Sequence, residues 1–390
     1  MCDPPCKENQ SRPATAAALY IHVPFCVRKC RYCDFYSLPA DEATCRTFVD
    51  AASEEFARRR DRLACPLRSV YVGGGTPTAL AGELLQRLLE LPGDFVDDRT
   101  EFTIEANPTT VSDGLARLLS EAGVNRVSLG AQSFNTRELR LLGRIHRPDD
   151  IGRACGKLRR AGIENINLDL IYAIPSQTPS SWSQTLRRAL ELNPQHLSCY
   201  ALSFAAGTPL EADLQTGRVA ELEDSLQRRL YEAGRIAAEH AGLTQYELSN
   251  FAREGRRCVH NLTYWNNQPY AGIGPAAAGY IDSVRGTNAP DVEAYARSLL
   301  SGQDPPASTE RLQGRARAGE ALMLGLRMSE GVDRNEFASR YGLDPVEGFP
   351  RTVVRYSHDG YLIVRPERLM LSVGAYFVAD TILADFLNEV

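Results

Sequence analysis

The run Leu19-Tyr20-Ile21-His22-Val23-Pro24-Phe25-Cys26-Val27-Arg28-Lys29-Cys30-Arg31-Tyr32-Cys33 joins a short apolar stretch directly to three closely spaced cysteines. The apolar stretch, Leu19 to Val23, is the first of six such strand candidates. The others are Val70 to Gly73, Glu101 to Ala106, Arg126 to Gly130, Ile166 to Tyr172 and Leu197 to Leu202. Between them lie stretches with apolar spacing near 3.6, at Thr44 to Arg59, Glu83 to Leu91, Leu115 to Ala122, Ile151 to Ala161 and Trp182 to Leu192, which reads as helix. Strands alternating with helices imply parallel pairing through right-handed crossovers. Six such units are too few for a closed eight-stranded barrel and suit an α/β fold of the open, three-quarter (β/α)6 kind. The mouth of such a barrel lies at the strand C-termini, so the cysteine loop belongs at that mouth.

Beyond Gly207 the pattern changes. Glu221 to His240 reads as one longer helix, and Cys258 to Tyr280, rich in Gly, Pro, Asn and aromatics, reads as a structured loop region. Gly302 to Pro306 is a linker candidate; Arg315 to Met328 reads as a helix, and the remainder as a small mixed module ending in Ile382 to Leu387. The expected division is a flexible tail over 1–18, the partial barrel over 19–250, a connecting region over 251–306, and a smaller C-terminal α+β domain over 307–390.

The bulk properties exclude several classes. The 390 residues are 43% hydrophobic and 24% charged, which is ordinary for a globular protein. A net charge of -5 gives no general attraction to nucleic acid or anionic membrane, and no apolar stretch is long enough to span a bilayer. The N-terminal residues mix acidic side chains with Pro4, Pro5 and Pro13 and lack an apolar core, so they read as a tail and not a secretion signal. A cytoplasmic location is the expectation, and there cysteines bind metals more readily than they pair.

Among the ten cysteines, Cys26, Cys30 and Cys33 have a spacing that carries chemistry. Three thiolates can ligate three irons of a [4Fe-4S] cubane and leave the fourth open, where the amino and carboxylate groups of S-adenosylmethionine can chelate. An electron passed to the sulfonium then breaks a carbon–sulfur bond and releases a 5'-deoxyadenosyl radical, chemistry that belongs to the cofactor. The alternatives are a zinc site, which wants four closed ligands, and chance clustering of buried cysteines. The other seven, Cys2, Cys6, Cys45, Cys65, Cys155, Cys199 and Cys258, read as small apolar or tail residues.

Polar and glycine residues at the other strand ends are candidates for holding the nucleotide. Gly73-Gly74-Gly75-Thr76 follows the second strand, where glycine lets backbone approach a ligand, although a plain tight turn has the same signature. Glu105, Gln132 and Asp169 are polar residues in apolar runs near the expected mouth, and carboxylates there can bind ribose hydroxyls. Arg144 can meet a ligand carboxylate or be a solvated surface arginine. Tyr32 can pack on adenine or simply cover the cluster.

Taken together, Tyr20-Ile-His22-Val-Pro24-Phe25-Cys26, Gly73 to Thr78, Glu105-Ala-Asn107-Pro108, Gly130-Ala-Gln132-Ser133-Phe134, Gly143-Arg144-Ile-His146 and Asp169-Leu170-Ile171-Tyr172 resemble the radical S-adenosylmethionine proteins of the oxygen-independent coproporphyrinogen III oxidase-like family. The resemblance runs over most of the chain, and Ala321 to Gly331 with Asp359-Gly360 resembles that family's small terminal domain. It implies a radical S-adenosylmethionine barrel in which Tyr20, Tyr32, Gly74, Gly75, Thr76, Glu105, Gln132, Arg144 and Asp169 bind S-adenosylmethionine. The oxidases of the family carry a fourth cysteine two residues after the third, where this chain has Phe35. His260-Asn261-Leu-Thr-Tyr264-Trp265 instead resembles the family's haem-chaperone branch.

That branch implies haem as bound cargo, acceptor haem proteins as partners, and an electron donor such as a flavodoxin or ferredoxin. It implies no nucleic-acid partner and at most transient contact with membrane proteins. Within the motif, His260 is the candidate axial ligand of haem iron, with Cys258 as rival and Arg256 and Arg257 as partners for propionates; a hydrogen-bonded loop histidine, with Trp265 as core filler, is the alternative. The competing functions are radical decarboxylation of coproporphyrinogen III, a related radical methyl transfer or ring opening, and radical modification of tRNA, which the acidic balance disfavours.

Overall fold

Within the six expected strands the residues alternate between two environments. In this computed structural model, which describes residues 15–389, Leu19, Ile21, Val70, Val72, Phe102, Ile104, Val127, Leu129, Ile166 and Leu168 are buried in the main hydrophobic core. Their neighbours Tyr20, His22, Tyr71, Thr103, Glu105, Ser128, Asn167 and Asp169 take the other side of the sheet, because successive side chains of a strand point to opposite faces. Burial on both faces makes the strands read as apolar runs, and the polar residues interrupting them line the barrel interior.

The strands are β1 (Ala18–Val23), β2 (Ser69–Gly74), β3 (Glu101–Ala106), β4 (Arg126–Gln132), β5 (Asn165–Tyr172) and β6 (His196–Ala201), paired parallel in chain order. The helices α1 (Glu42–Arg59), α2 (Gly82–Glu90), α3 (Asp113–Glu121), α4 (Thr136–Leu141), α5 (Pro148–Arg160) and α6 (Pro179–Glu191) intervene. Their starts follow capping chemistry. Asp41 accepts from the Thr44 amide and Ser112 from the Leu115 amide, while Thr178 caps α6 just ahead of Pro179; such caps each contribute about 1 kcal/mol. The (β/α)6 expectation holds.

The sheet is wider than the six units. After α7 (Pro209–Gln215) and α8 (Asp224–His240) come β7 (Thr244–Gln245), β8 (Asn250–Ala252), α9 (Val259–Trp265), β9 (Tyr270–Ile273), β10 (Ala278–Ile281), β11 (Val284–Asn288), α10 (Val292–Leu300) and β12 (Ala307–Glu310). The complete order is β12-β11-β10-β9-β1-β2-β3-β4-β5-β6-β8-β7. Strand β9 joins β1 in parallel, with Ala18 opposite Tyr270 and Ile21 opposite Ile273.

The loop reading of Cys258 to Tyr280 is therefore corrected: the stretch holds α9, β9 and part of β10. The buried Glu101 carboxylate accepts the amides of Val259 at 3.0 Å and His260 at 3.1 Å, satisfying the start of α9 from a residue 159 positions away in the chain. Residue composition carries no trace of such a partner. Residues 251–306 thus contribute three complete strands and most of β8 to the large sheet, and β12, just past the linker candidate, pairs antiparallel with β11. Of the expected tail, residues 1–14, with Cys2 and Cys6, lie outside the described residues, whereas Ala16 bridges to Leu63 and Ala18 opens β1.

The C-terminal part matches the α+β expectation. Helices Gly314–Gly325, Arg334–Tyr341, Pro350–His358 and Ala379–Asn388 surround a small antiparallel sheet of Val332–Asp333, Arg368–Leu371 and Leu362–Val364. Among the described residues no helix is long and apolar enough to cross a membrane.

Candidate cluster and nucleotide site

The loop after β1 is tied down on three sides. Leu38 donates to the Pro24 carbonyl at 2.8 Å, the Arg31 amide donates to Leu142 at 3.0 Å, and Leu210 donates to the Arg31 carbonyl at 2.9 Å. The Arg31 side chain pairs with the buried Asp213. From β2, Gly75 donates to the Val23 carbonyl at 2.9 Å and Thr76 to the Phe25 carbonyl at 2.7 Å. Two of the glycines are required by space. A methyl group on Gly75 would stand 2.5 Å from the Phe25 carbonyl oxygen. Gly74 has φ +103°, and a methyl there would meet the His22 ring at 2.6 Å.

Tyr20 acts from behind this loop. His22 Nε2 lies 3.0 Å from the Tyr36 carbonyl, which can only accept, so this nitrogen carries the proton and Nδ1 accepts from the Tyr20 hydroxyl at 3.0 Å. Burial holds the His22 pKa below its ordinary value, so the ring is neutral. Tyr20 does not line the cavity with the other nucleotide candidates; it orients the histidine that pins the far end of the cysteine loop.

A cavity of about 450 Å³ at the barrel mouth is lined by Cys26, Cys30 and Cys33 together with Tyr32, Gly74, Gly75, Thr76, Glu105, Gln132, Arg144 and Asp169. All eleven were singled out from sequence. Tyr71, Asn107, Ser128, Ile171 and Tyr200 also line it and were missed as site residues. For Tyr71 and Ser128 the available signal was strand alternation, since they sit in register with Thr103 and Glu105. Tyr200 stands two residues beyond the inward-facing Ser198 and opposite Ile171, and Asn107 lies in a quoted motif with no role assigned to it. A larger groove of about 570 Å³ on the outside, against α2 and α3, holds neither thiol nor imidazole.

The electrostatics are those of a site built for a polar, charged ligand. Glu105 accepts from the Tyr71 hydroxyl at 2.9 Å and the Gly74 amide at 3.1 Å. Burial, with Asp169 nearby, still pushes its carboxyl up to about 7. Asp169 accepts from Ser128 at 2.8 Å and from Asn167 at 2.8 Å, and burial raises its pKa. Gln132, at φ +62° beside an irregularity in β4, turns its side chain into the cavity. Arg144 donates to the Gly130 carbonyl at 2.6 Å and to the Cys30 sulfur at 3.3 Å, and its buried Nε has no protein partner. Burial opposes its charge, but Tyr32 and Cys30 hold it above its ordinary value.

The residues present fit an iron–sulfur cluster and a nucleotide. Cys26, Cys30 and Cys33 are free thiols; Cys26 lies 3.5 Å from the Thr76 hydroxyl. Burial, followed by the neighbouring thiols, pushes Cys33 up to about 11, a penalty that metal ligation reverses because the ligand is the thiolate. Among the described residues no three His, Cys, Asp or Glu side chains gather around one point as a single ion requires. Thiolates that each hold a different iron of a cubane have no need to.

The structure places His260 elsewhere. It is 1% exposed, with Nδ1 2.9 Å from the Ser69 hydroxyl and Nε2 2.7 Å from the Tyr264 hydroxyl, and it packs on Tyr71 with ring centroids 5.1 Å apart. Burial pushes it down to about 3. Both ring nitrogens are engaged at the opposite end of β2 from the cysteines, so the expectation of an axial ligand is corrected to that of a hydrogen-bonded interior histidine. Cys258, the rival, is fully buried beside Glu101, and burial pushes its thiol up to about 12. Arg257 pairs with Glu330 at 2.7 Å.

This combination of partial barrel and triad loop defines a radical S-adenosylmethionine protein, a class that implies a [4Fe-4S] cluster and S-adenosylmethionine. The Radical SAM superfamily model matches residues 20–189, and the HemN C-terminal domain model matches 312–377. Coproporphyrinogen III oxidase (HemN) from Escherichia coli has the same fold, with a TM-score of 0.85 and 21% identity over 98% of this chain and 92% of that one. The chain belongs to the family of the heme chaperone HemW. It is 33% identical over 379 residues to that protein of Bacillus subtilis (strain 168), covering 95% of this chain and 99% of the relative. It is also 33% identical over 404 residues to the mouse mitochondrial radical S-adenosyl methionine domain-containing protein 1, covering 99% and 90%.

Proposed function

We propose that this protein is a haem chaperone, which binds haem with a [4Fe-4S] cluster and S-adenosylmethionine and passes it to acceptor haem proteins. The observation that carries the reading is the convergence of three free thiols, a glycine turn and four polar side chains on one cavity, in a chain aligned almost end to end with relatives named as heme chaperones. Phe35 adds to it, because no sulfur stands where the oxidases place a fourth cysteine.

In this reading Cys26, Cys30 and Cys33 hold the cluster, and Arg144 neutralises charge beside the Cys30 sulfur. The Gly74-Gly75-Thr76 turn lies against the amino-acid end of S-adenosylmethionine, Glu105, Gln132 and Asp169 hold its polar groups, and Tyr32 covers the adenine. Tyr20 contributes through His22. The cluster, when bound, supplies an open iron and an electron store. A flavodoxin- or ferredoxin-like donor and a cytoplasmic location belong to the same reading.

The test compares two activities of anaerobically purified, cluster-reconstituted protein. Haem binding followed by absorbance is expected, together with transfer to an apo-haem protein. Efficient conversion of coproporphyrinogen III propionates to vinyl groups would instead make the protein an enzyme of that type.

A further inference from the structure

Haem is a flat apolar ring edged by two carboxylates, and the mouth of the cluster cavity presents a surface of matching chemistry. Phe35 is 61% exposed and Tyr200 41% exposed, yet both line the same cavity. Exposed aromatics are unremarkable singly, but two lining one polar cavity mark a place where apolar surface waits for a ligand. Arg28 and Lys29 line that cavity too and are exposed. Among the described residues neither forms an ion pair, whereas the adjacent Arg31 is held by Asp213. Asp34 supplies one opposing charge on the same wall.

We propose that haem docks across this mouth, with its ring on Phe35 and Tyr200 and its propionates on Arg28 and Lys29, and with no histidine of the chain on its iron. The proposal rests on the haem-chaperone reading and specifies where the cargo sits. Among the described residues no histidine lines the cavity, and His260 has both nitrogens occupied. Cys26, Cys30 and Cys33 are committed to the cluster. Holding haem by its face and edge leaves the iron for the acceptor's ligand, so transfer requires no iron–imidazole bond to break. It also places the cargo directly over the cluster and nucleotide, on the same cavity wall as the cysteines.

The experiment titrates the full-length, cluster-reconstituted protein with ferric haem and, separately, with haem dimethyl ester, which lacks the carboxylates. The variants are Phe35→Ala, the double variant Arg28→Ala/Lys29→Ala, and His260→Ala. Iron and sulfide content and the electron paramagnetic resonance spectrum report the cluster in each. The double variant is expected to bind haem about five- to tenfold more weakly, as two solvent-facing charge pairs allow, while its affinity for the ester is unchanged. Phe35→Ala is expected to weaken both ligands alike, because it removes ring contact and no charge.

Unchanged haem affinity in Phe35→Ala and in the double variant would overturn the site while leaving the chaperone reading intact. So would an imidazole-type low-spin haem spectrum that disappears in His260→Ala. Slower cluster reduction by a flavodoxin, with haem affinity unaltered, would reassign the same mouth to an acidic electron carrier and remove haem from it. A wild-type protein that takes up no haem would overturn the chaperone reading and this site together.

Discussion

The guanidinium of Arg144 stands 3.3 Å from the sulfur of Cys30 and 2.6 Å from the carbonyl oxygen of Gly130, so one buried cation joins the cysteine loop to β4. A charged donor to a thiolate stabilises its electron-rich form. Arg144→Met is therefore expected to shift the cluster midpoint potential to more negative values and to weaken S-adenosylmethionine binding by roughly tenfold, the usual size for one charged hydrogen bond. Redox titration followed by electron paramagnetic resonance, with calorimetry of ligand binding, reads both. A potential equal to that of wild type would exclude the contact as an influence on the cluster.

Replacement of any one of Cys26, Cys30 and Cys33 by Ala is expected to abolish the cluster, because two thiolates cannot anchor three corners. Cys155→Ala and Cys199→Ala, which alter buried core cysteines, should leave iron and sulfide content unchanged. Chemical analysis of reconstituted protein separates the two groups.

Glu105 faces the nucleotide cavity with a pKa pushed up to about 7 by burial and by Asp169. It is protonated below that value and charged above it. If its charge binds the ligand, S-adenosylmethionine affinity should rise as pH increases through about 7, and Glu105→Gln should flatten that rise. Calorimetric titration across this range in both proteins is the measurement, and an identical pH profile would confine Glu105 to its protein partners, the Tyr71 hydroxyl and the Gly74 amide.

His260, buried with both ring nitrogens hydrogen-bonded, is expected to act on stability. Its folded pKa is pushed down to about 3, whereas in the unfolded chain it titrates near its ordinary value of about 6.5. The unfolded state therefore takes up the proton first, and stability falls as pH drops below about 6.5. His22 and His146, the latter pushed down to about 4, act in the same direction. His260→Ala leaves the Ser69 and Tyr264 hydroxyls without their partner and should cost roughly 2–4 kcal/mol. Urea unfolding at several pH values reads both effects, and a variant as stable as wild type would refute the interior role.

Much of the barrel was legible from residue order because its signals are local. Apolar runs of strand length, capped helices between them and a cysteine spacing suited to a cubane all act over a few residues. Cys26, Glu105, Gln132 and Asp169 were recognisable from their positions in or just after apolar runs, whereas Arg144 lies in the loop after α4. Tyr20 could be assigned to the site only by resemblance, since its part is played through His22 and the Tyr36 carbonyl. The stretch from Cys258 to Tyr280 was misread for a similar reason: α9 begins where Glu101 accepts its first amides, and β9 exists because β1 offers it an edge. The position of His260 depends on Ser69, Tyr71 and Tyr264 closing around it. Contacts between residues far apart in the chain arise only when the sheet assembles, and they determine which of two chemically equal side chains faces a ligand and which is sealed in the interior.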